Sequence, residues 1–280
     1  RDVAHTLRMA AEQEGCDYKV KGEAKLRALA LELGVPAEGK PLREVARGVA
    51  EICFAQFGQQ HGELVFAARA PADQQKRWRQ AGVMPRGVDR EVVEIMHRTH
   101  MGVDNDAVNL VMQGVRCALA DGWGGSMIAT DLSDVLFRTP HWIRSRANLG
   151  VLDPRNVNLI VHGHEPTLSE MIVAAAQDPE MLDLARSKGA AGIGLGGICC
   201  TANEILMRHG IPLAGNFLQQ ELAIATGVVE AMIVDVQCIF PALARAAREF
   251  HTKLISTSPK ARFPFAEHVE FDESRALETA

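Results

Sequence analysis

Val157-Asn-Leu-Ile-Val-His-Gly-His164 joins a short apolar run to two histidines, and a similar pattern recurs twice further along the chain. Ala190-Ala-Gly-Ile-Gly-Leu-Gly196 leads into Gly197-Ile-Cys-Cys200, and Glu230-Ala-Met-Ile-Val-Asp-Val236 leads into Gln237-Cys238. A helical pattern separates each run from the next, which predicts a parallel sheet with crossover helices. Because open parallel sheets carry functional groups beyond the carboxyl ends of their strands, one His and up to three Cys are expected to converge there.

A change of pattern divides the chain into two predicted domains. Residues 1–150 show apolar positions at three- and four-residue steps without a competing strand pattern, which predicts an all-helical domain. Gly150 and the turn at Asp153-Pro154 mark the boundary. Residues 151–280 alternate strand and helix patterns, which predicts a Rossmann-like α/β domain. The expected fold class is α + α/β, an all-helical domain followed by a Rossmann-like parallel-sheet domain.

The second domain is expected to contain five strands with helices between them. The strands are predicted near residues 157–161, 190–196, 211–214, 230–236 and 252–257. The helices are predicted near residues 166–177, 179–188, 200–209, 217–226 and 241–250.

Composition excludes several classes of protein. A length of 280 residues favours two domains, and a net charge of −5 offers no basic surface for nucleic acid. No apolar run approaches the ~20 residues of a membrane span, and no signal peptide opens the chain. The six cysteines include no C-x-x-C pair, so reduced thiols or metal ligands in a cytoplasmic protein are expected rather than disulfides. The chain starts without Met inside a helical pattern, which suggests a piece of a longer protein.

The glycine string Gly192-Ile-Gly-Leu-Gly-Gly197 permits two interpretations. It matches the G-x-G-x-x-G sequence of dinucleotide-binding folds, but the next strand, Ile211-Pro-Leu-Ala214, is not followed by the acidic residue that would hold a ribose. The string also lies largely inside the predicted strand. We therefore favour close packing of the backbone, with a nucleotide-binding module that holds no redox metal as the alternative.

The cysteines after the strands are the strongest candidates for chemistry. Cys199 and Cys200 stand at a strand-to-helix junction, where a helix N-terminus lowers a thiol pKa and a thiolate is a good ligand for Fe, Ni or Zn. Cys238 directly follows another strand. The alternative is that these residues are small buried hydrophobes. Three ligands of mixed nitrogen and sulfur type also suit a catalytic zinc.

Histidines and one aspartate complete the set of candidates. Either His162 or His164 can reach the sheet edge if the chain turns there. Glu94 and His97 have helical spacing, but a di-iron bundle needs two such pairs and the chain has one. Asp121 opens the Gly-rich stretch Asp121-Gly-Trp-Gly-Gly-Ser126, expected to be a turn between helices, where it either caps a helix or acts as a base.

Several segments closely resemble the anaerobic nickel–iron carbon monoxide dehydrogenases, most of all the monofunctional catalytic subunit of sulfate-reducing bacteria. They are Val161-His-Gly-His-Glu-Pro166, Gly197-Ile-Cys-Cys-Thr-Ala-Asn-Glu204, Val234-Asp-Val-Gln-Cys238, His97-Arg-Thr-His-Met-Gly102 and Asp121-Gly-Trp-Gly-Gly-Ser126. The resemblance covers essentially the whole chain. It implies an enzyme that oxidises CO with water to CO2, two protons and two electrons at a nickel–iron–sulfur cluster.

The resemblance also implies roles for individual residues. His164 and Cys200 would bind the iron outside the cubane, and Cys238 would bind a cubane iron. Cys199 would neighbour the cluster, and the catalytic role of Asp121 would be to steer water and protons. His5 would end a ladder of proton-conducting histidines.

Further implications concern what lies outside this chain. Family members are more than twice as long, so the N-terminal four-iron four-sulfur clusters and the C-terminal domain with the nickel thiolate would be missing, and the isolated piece would be inactive. The full chain would form a homodimer, pass electrons to an acceptor such as a ferredoxin and receive nickel from an accessory protein. The related hybrid-cluster reductases, which share the architecture, are an alternative.

Overall fold

The computed structural model describes residues 1–280 and divides into two compact units, residues 1–138 and 139–280. The boundary therefore differs from the one expected near residue 150. The reason is that residues after 138 bond to the second unit: His141 N–H donates to Met207 O, Leu213 N–H donates to Arg146 O, and Ala147 forms an isolated bridge with Leu213.

The first unit is built from helices. They are α1 (Asp2–Glu12), α2 (Glu23–Glu32), α3 (Leu42–Gly58), α4 (Ala72–Gln80), α5 (Val88–Arg98), α6 (Ala107–Ala120) and α7 (Met127–Phe137). Apolar residues at helical spacing meet in its core, where Leu7, Leu29, Val49 and Leu132 are buried. Asp106 caps α6 as expected, since its side chain accepts hydrogen bonds from the N–H groups of the helix's first turn.

The Gly-rich stretch after α6 is not the turn that the sequence predicts. Asp121–Ser126 forms a π-helical turn that connects α6 to α7 without a break. Glycine is needed at one position for packing, because a Cβ on Gly124 would lie 2.7 Å from Val88 Cγ2 and 2.8 Å from Leu64 Cδ1. Such π turns occur frequently at functional sites.

The second unit contains a six-stranded parallel sheet with the order β3-β2-β1-β4-β5-β6. The strands are β1 (Val157–His162), β2 (Ile193–Ile198), β3 (Leu213–Gly215), β4 (Ala231–Val234), β5 (Lys253–Ser256) and β6 (Glu267–His268). The α/β fold class is confirmed. The sixth strand was not predicted because two residues are too few to show a pattern.

Helices cover both faces of this sheet. They are α8 (Pro166–Ala176), α9 (Pro179–Ser187), α10 (Cys199–His209), α11 (Gln220–Ala225), α12 (Leu243–Ala247) and α13 (Ala276–Thr279). Successive residues of β1 point to opposite faces, so Ile160 packs in one core with Met232 and Val161 packs in the other with Ile205. None of the helices combines the length and apolar character that crossing a membrane requires.

Candidate metal centre

Three neighbouring strands end at the same level of the sheet. β1 lies between β2 and β4, and its last residue, His162, pairs with Ile198 of β2 and Val234 of β4. His164, Cys200 and Cys238 follow these paired residues closely in sequence. Strand order reverses between β1 and β4, and open α/β sheets bind ligands at such a point. The structure therefore brings these three predicted ligands to one edge of the sheet.

His164 presents one ring nitrogen with no partner in the chain. Its Nδ1 lies 3.0 Å from Val236 O, and because a carbonyl oxygen only accepts, Nδ1 carries the proton. Nε2 then has a free lone pair. A hydrogen bond of this kind fixes the tautomer and ring orientation of metal-binding histidines.

His162 is used differently. It is fully buried, and its Nε2 lies 3.1 Å from Gln220 Oε1. Burial lowers the pKa of its imidazole, partly offset by the bond to Gln220. The sequence left open which histidine reaches the edge, and burial assigns His162 to the interior while His164 is only half-buried.

Cys199 stands at the sharp turn from β2 to α10. Its φ of +67° is unusual for a non-glycine residue. The turn is tight, since a Cβ on Gly197 would lie 2.4 Å from Ala202 Cβ. Burial, together with the neighbouring thiols Cys238 and Cys200, raises the pKa of Cys199 to about 12. This thiol is therefore protonated unless a metal displaces the proton.

Cys200 and Cys238 are both exposed at the edge. Partial burial of its thiol raises the pKa of Cys200, and Cys238 and Glu204 add to the effect. The expected lowering of the thiol pKa by the helix N-terminus is therefore outweighed. Gln237 and Cys238 have φ values of +63° and +56°, and such backbone strain is concentrated at functional sites.

The spacing of these donors tests which metal group fits. No three His, Cys, Asp or Glu side chains lie close enough together to hold a single metal ion. The catalytic zinc that the sequence left open does not fit this arrangement. Donors that do not converge on one point suit a cluster of several metal atoms, and thiolate and imidazole are suitable ligands for iron–sulfur centres. The residues present fit a multinuclear metal–sulfur group.

The glycine string serves packing, as the sequence analysis favoured. Gly194, Gly196 and Gly197 lie within β2, which is paired on both sides. A Cβ on Gly194 would lie 2.8 Å from Asn158 Oδ1, and one on Gly196 would lie 3.0 Å from Ile160 Cδ1. The string therefore does not form the loop at a helix start that cradles a phosphate.

The other candidates belong to the helical unit. Asp121 is exposed at the start of the π turn, and His5 and His97 are exposed as well. Glu94 bonds to Arg98 at 2.9 Å rather than pairing with His97, so no Glu–His metal pair forms. A role for Asp121 at the sheet edge remains a prediction.

Two residues next to the ligands were not singled out from the sequence. Asp235 and Gln220 are buried, with 2% and 0% exposure. Asp235 carried one local signal, a carboxylate at the end of an apolar strand pattern. Gln220 carried none, because its partners other than Phe217 lie 18 to 58 positions away in sequence.

Fold and site together define the class, an α/β protein whose sheet edge carries thiols and an imidazole suited to a metal–sulfur centre. The family model described as the Prismane/CO dehydrogenase family matches residues 1–280, and the chain belongs to that family.

Individual relatives agree with this assignment. The chain is 58% identical over 280 residues to carbon monoxide dehydrogenase 1 of Methanosarcina mazei, covering 100% of this chain and 45% of that protein. It is 45% identical to the beta subunit of the carbon monoxide dehydrogenase/acetyl-CoA synthase of Moorella thermoacetica, covering 99% of this chain and 41% of the relative.

A solved structure is similar throughout. The as-isolated, nickel-free carbon monoxide dehydrogenase of Thermococcus sp. AM4, produced without a maturase, superimposes with a TM-score of 0.96 at 50% identity. The match covers 100% of this chain and 44% of that one. The chain thus spans less than half the length of these relatives.

Proposed function

We propose that this chain is the helical and first Rossmann-like part of an anaerobic, nickel-dependent carbon monoxide dehydrogenase. The longer enzyme would convert CO and water into CO2, two protons and two electrons. The observation that carries the proposal is the alignment of β2, β1 and β4, whose ends present Cys200, His164 and Cys238 at one edge. The names and high identity of the relatives support it.

The residues of the edge would hold a nickel–iron–sulfur cluster. His164 Nε2 and Cys200 would bind the iron outside the cubane, Cys238 would bind a cubane iron, and Cys199 would neighbour the cluster. When bound, such a cluster supplies a soft metal for CO, a Lewis-acidic iron for water and a store for electrons. His164 Nδ1 carries the proton and donates a hydrogen bond to Val236 O, so the lone pair of Nε2 stays available for a metal.

Proton handling would fall to carboxylate and imidazole groups of the helical unit. Asp121 is exposed, and its carboxylate would serve as the base that takes protons from water. His5, also exposed, would continue the path outwards. The homodimer, a ferredoxin-like electron acceptor, a nickel-insertion protein, further four-iron four-sulfur clusters and a cytoplasmic location belong to the same proposal for the longer enzyme.

The test is metal analysis of the full-length enzyme, purified anaerobically with His164→Ala, Cys200→Ala or Cys238→Ala. Each change should strip nickel and abolish CO oxidation while circular dichroism shows an intact fold, because each removes a cluster ligand. Cys16→Ala is the matched control, since Cys16 is a free, half-buried thiol of the helical unit. Nickel and activity persisting in all three variants would overturn the proposal.

The hybrid-cluster alternative predicts a different outcome of the same assay. An enzyme of that kind would contain iron and sulfide without nickel and would not oxidise CO. The nucleotide-binding alternative has lost its structural support, because the glycines on which it depended lie inside a paired strand.

A further inference from the structure

A single buried carboxylate joins the loop after β1 to the loop after β4. Asp235 Oδ1 accepts the backbone N–H of His164 at 2.6 Å, and Oδ2 accepts that of Glu165 at 3.0 Å. Oδ1 also accepts the N–H of Val236, the residue whose carbonyl orients the His164 ring. Both the backbone and the ring of His164 are therefore fixed from the β4 side.

The loop after β1 is shaped around this carboxylate. Gly163 has a φ of +143°, and a Cβ there would lie 1.8 Å from Asp235 Oδ1. A glycine in a conformation that other residues rarely adopt lets the backbone approach the carboxylate closely. The contact between the loop and the Asp235 carboxylate therefore depends on glycine at position 163.

A buried amide holds the loop that carries Cys238. Gln220 Nε2 donates to Cys238 O at 3.2 Å and to Phe217 O at 2.6 Å. Its Oε1 accepts the Phe240 N–H at 3.2 Å and also bonds to His162 Nε2. The bonds to Cys238 O and Phe240 N fix the chain at and just after Cys238, which has a left-handed conformation that a non-glycine residue rarely adopts.

We propose that Asp235 and Gln220 are positioning residues that preform the ligand edge, Asp235 for His164 and Gln220 for Cys238. All of these bonds are made within the chain, so the edge is in place before a cluster is assembled. The inference rests on the proposed function, because it concerns the ligands of the same centre.

Asn158 provides a matched control at the opposite end of the same sheet. It is 1% exposed, and its Nδ2 donates to Asp153 O and Val228 O, both at 2.8 Å. Like Gln220, it is a buried amide that ties two loops together. Gln220→Met and Asn158→Leu both remove an amide while roughly keeping side-chain volume.

The experiment compares Gln220→Met, Asp235→Asn and Asn158→Leu in the full-length enzyme, purified anaerobically. Four quantities are measured: nickel per chain, the chelator concentration that removes half of the nickel, the midpoint of thermal unfolding, and CO oxidation. Nickel reports on this cluster alone. We expect comparable losses of thermal stability in Gln220→Met and Asn158→Leu. The chelator concentration that removes half of the nickel should fall roughly 10- to 100-fold in Gln220→Met and Asp235→Asn, but not in Asn158→Leu. Replacing residues that orient metal ligands typically lowers metal affinity by this factor.

Each result decides between the inference and the proposed function. If Gln220→Met holds nickel as firmly as Asn158→Leu while the wild type contains nickel and oxidises CO, the positioning role is wrong and the proposed function stands. If the wild-type enzyme, produced together with its nickel-insertion protein, contains no nickel and does not oxidise CO, both are wrong. Should Asp235→Asn fail to fold, the comparison of Gln220→Met with Asn158→Leu decides alone.

Discussion

Gly163 separates two histidines that the structure uses in different ways. His162 is buried against Gln220, whereas His164 turns its Nε2 away from its own hydrogen bond to Val236 O. The residue types predicted a ligand at this position, since a histidine after a parallel strand reaches the edge of the sheet. Which of the two histidines reaches the sheet edge depends on the φ of +143° at Gly163 and on burial. Neither property can be read from the sequence His162-Gly163-His164.

Replacement of Gly163 tests how much this geometry matters. Gly163→Ala forces a side chain into strained backbone and against Asp235 Oδ1, so we expect it to cost more than about 3 kcal/mol of unfolding free energy. Gly189→Ala is the control, because Gly189 has a φ of +95° with nothing within 4 Å of the added Cβ. It should cost about 1–2 kcal/mol. Urea unfolding measures both, and equal losses would show that the carboxylate contact is unimportant.

At the scale of elements, α10 connects the candidate site to a buried ion network. The helix begins with Cys199 and Cys200, and near its other end Arg208 lies 3.7 Å from Glu170 of α8, with side chains 3% and 1% exposed. His209 bonds to the same carboxylate at 2.8 Å. The predicted helix of residues 200–209 agrees closely with the observed one. The network was not predicted, because it joins helices separated by a strand.

Loss of the buried carboxylate should weaken the packing of α10 on α8. Glu170→Ala leaves Arg208 buried beside fewer negative charges, so we expect a loss of about 3–5 kcal/mol of unfolding free energy. Asp183→Ala is the matched control, since its pair with Arg186 is exposed and should contribute only about 0.2–1 kcal/mol. Denaturant titrations of both variants provide the comparison. A Glu170→Ala loss no larger than that of the control would contradict the role of the network.

At the scale of the whole molecule, the chain forms two units with an exposed connection between them. Residues 138–148 are almost all exposed and form no helix or extended strand. The boundary was expected near residue 150 because glycine and proline mark turns there. The structure places it after Arg138, because backbone bonds from Arg146 and Ala147 to Leu213 attach the segment to the second unit.

Limited proteolysis tests this division. Trypsin should cut first after Arg138 or Arg144, because exposed chain outside regular structure is cleaved most readily. Mass spectrometry of the early products should show two fragments that meet there. In an Arg138→Gln, Arg144→Gln variant these products should be absent, and cleavage should shift to Arg146, the remaining exposed arginine of the segment. First cuts inside α3 or the sheet would show that the two units are not the stable parts of the chain.

The sequence by itself determined the α/β class of the second unit, the positions of five strands and the types of side chain that follow them, because apolar periodicity is recorded in neighbouring residues. Resemblance to a family supplied the roles that periodicity does not encode. Only the tertiary structure decided which histidine faces the edge, that Asp235 and Gln220 bond to the loops that carry His164 and Cys238, and that no three donors gather around one point. The bonds of Gln220 to His162 and of Asp235 to His164 join residues 58 and 71 positions apart, and such partners meet only once the sheet has formed.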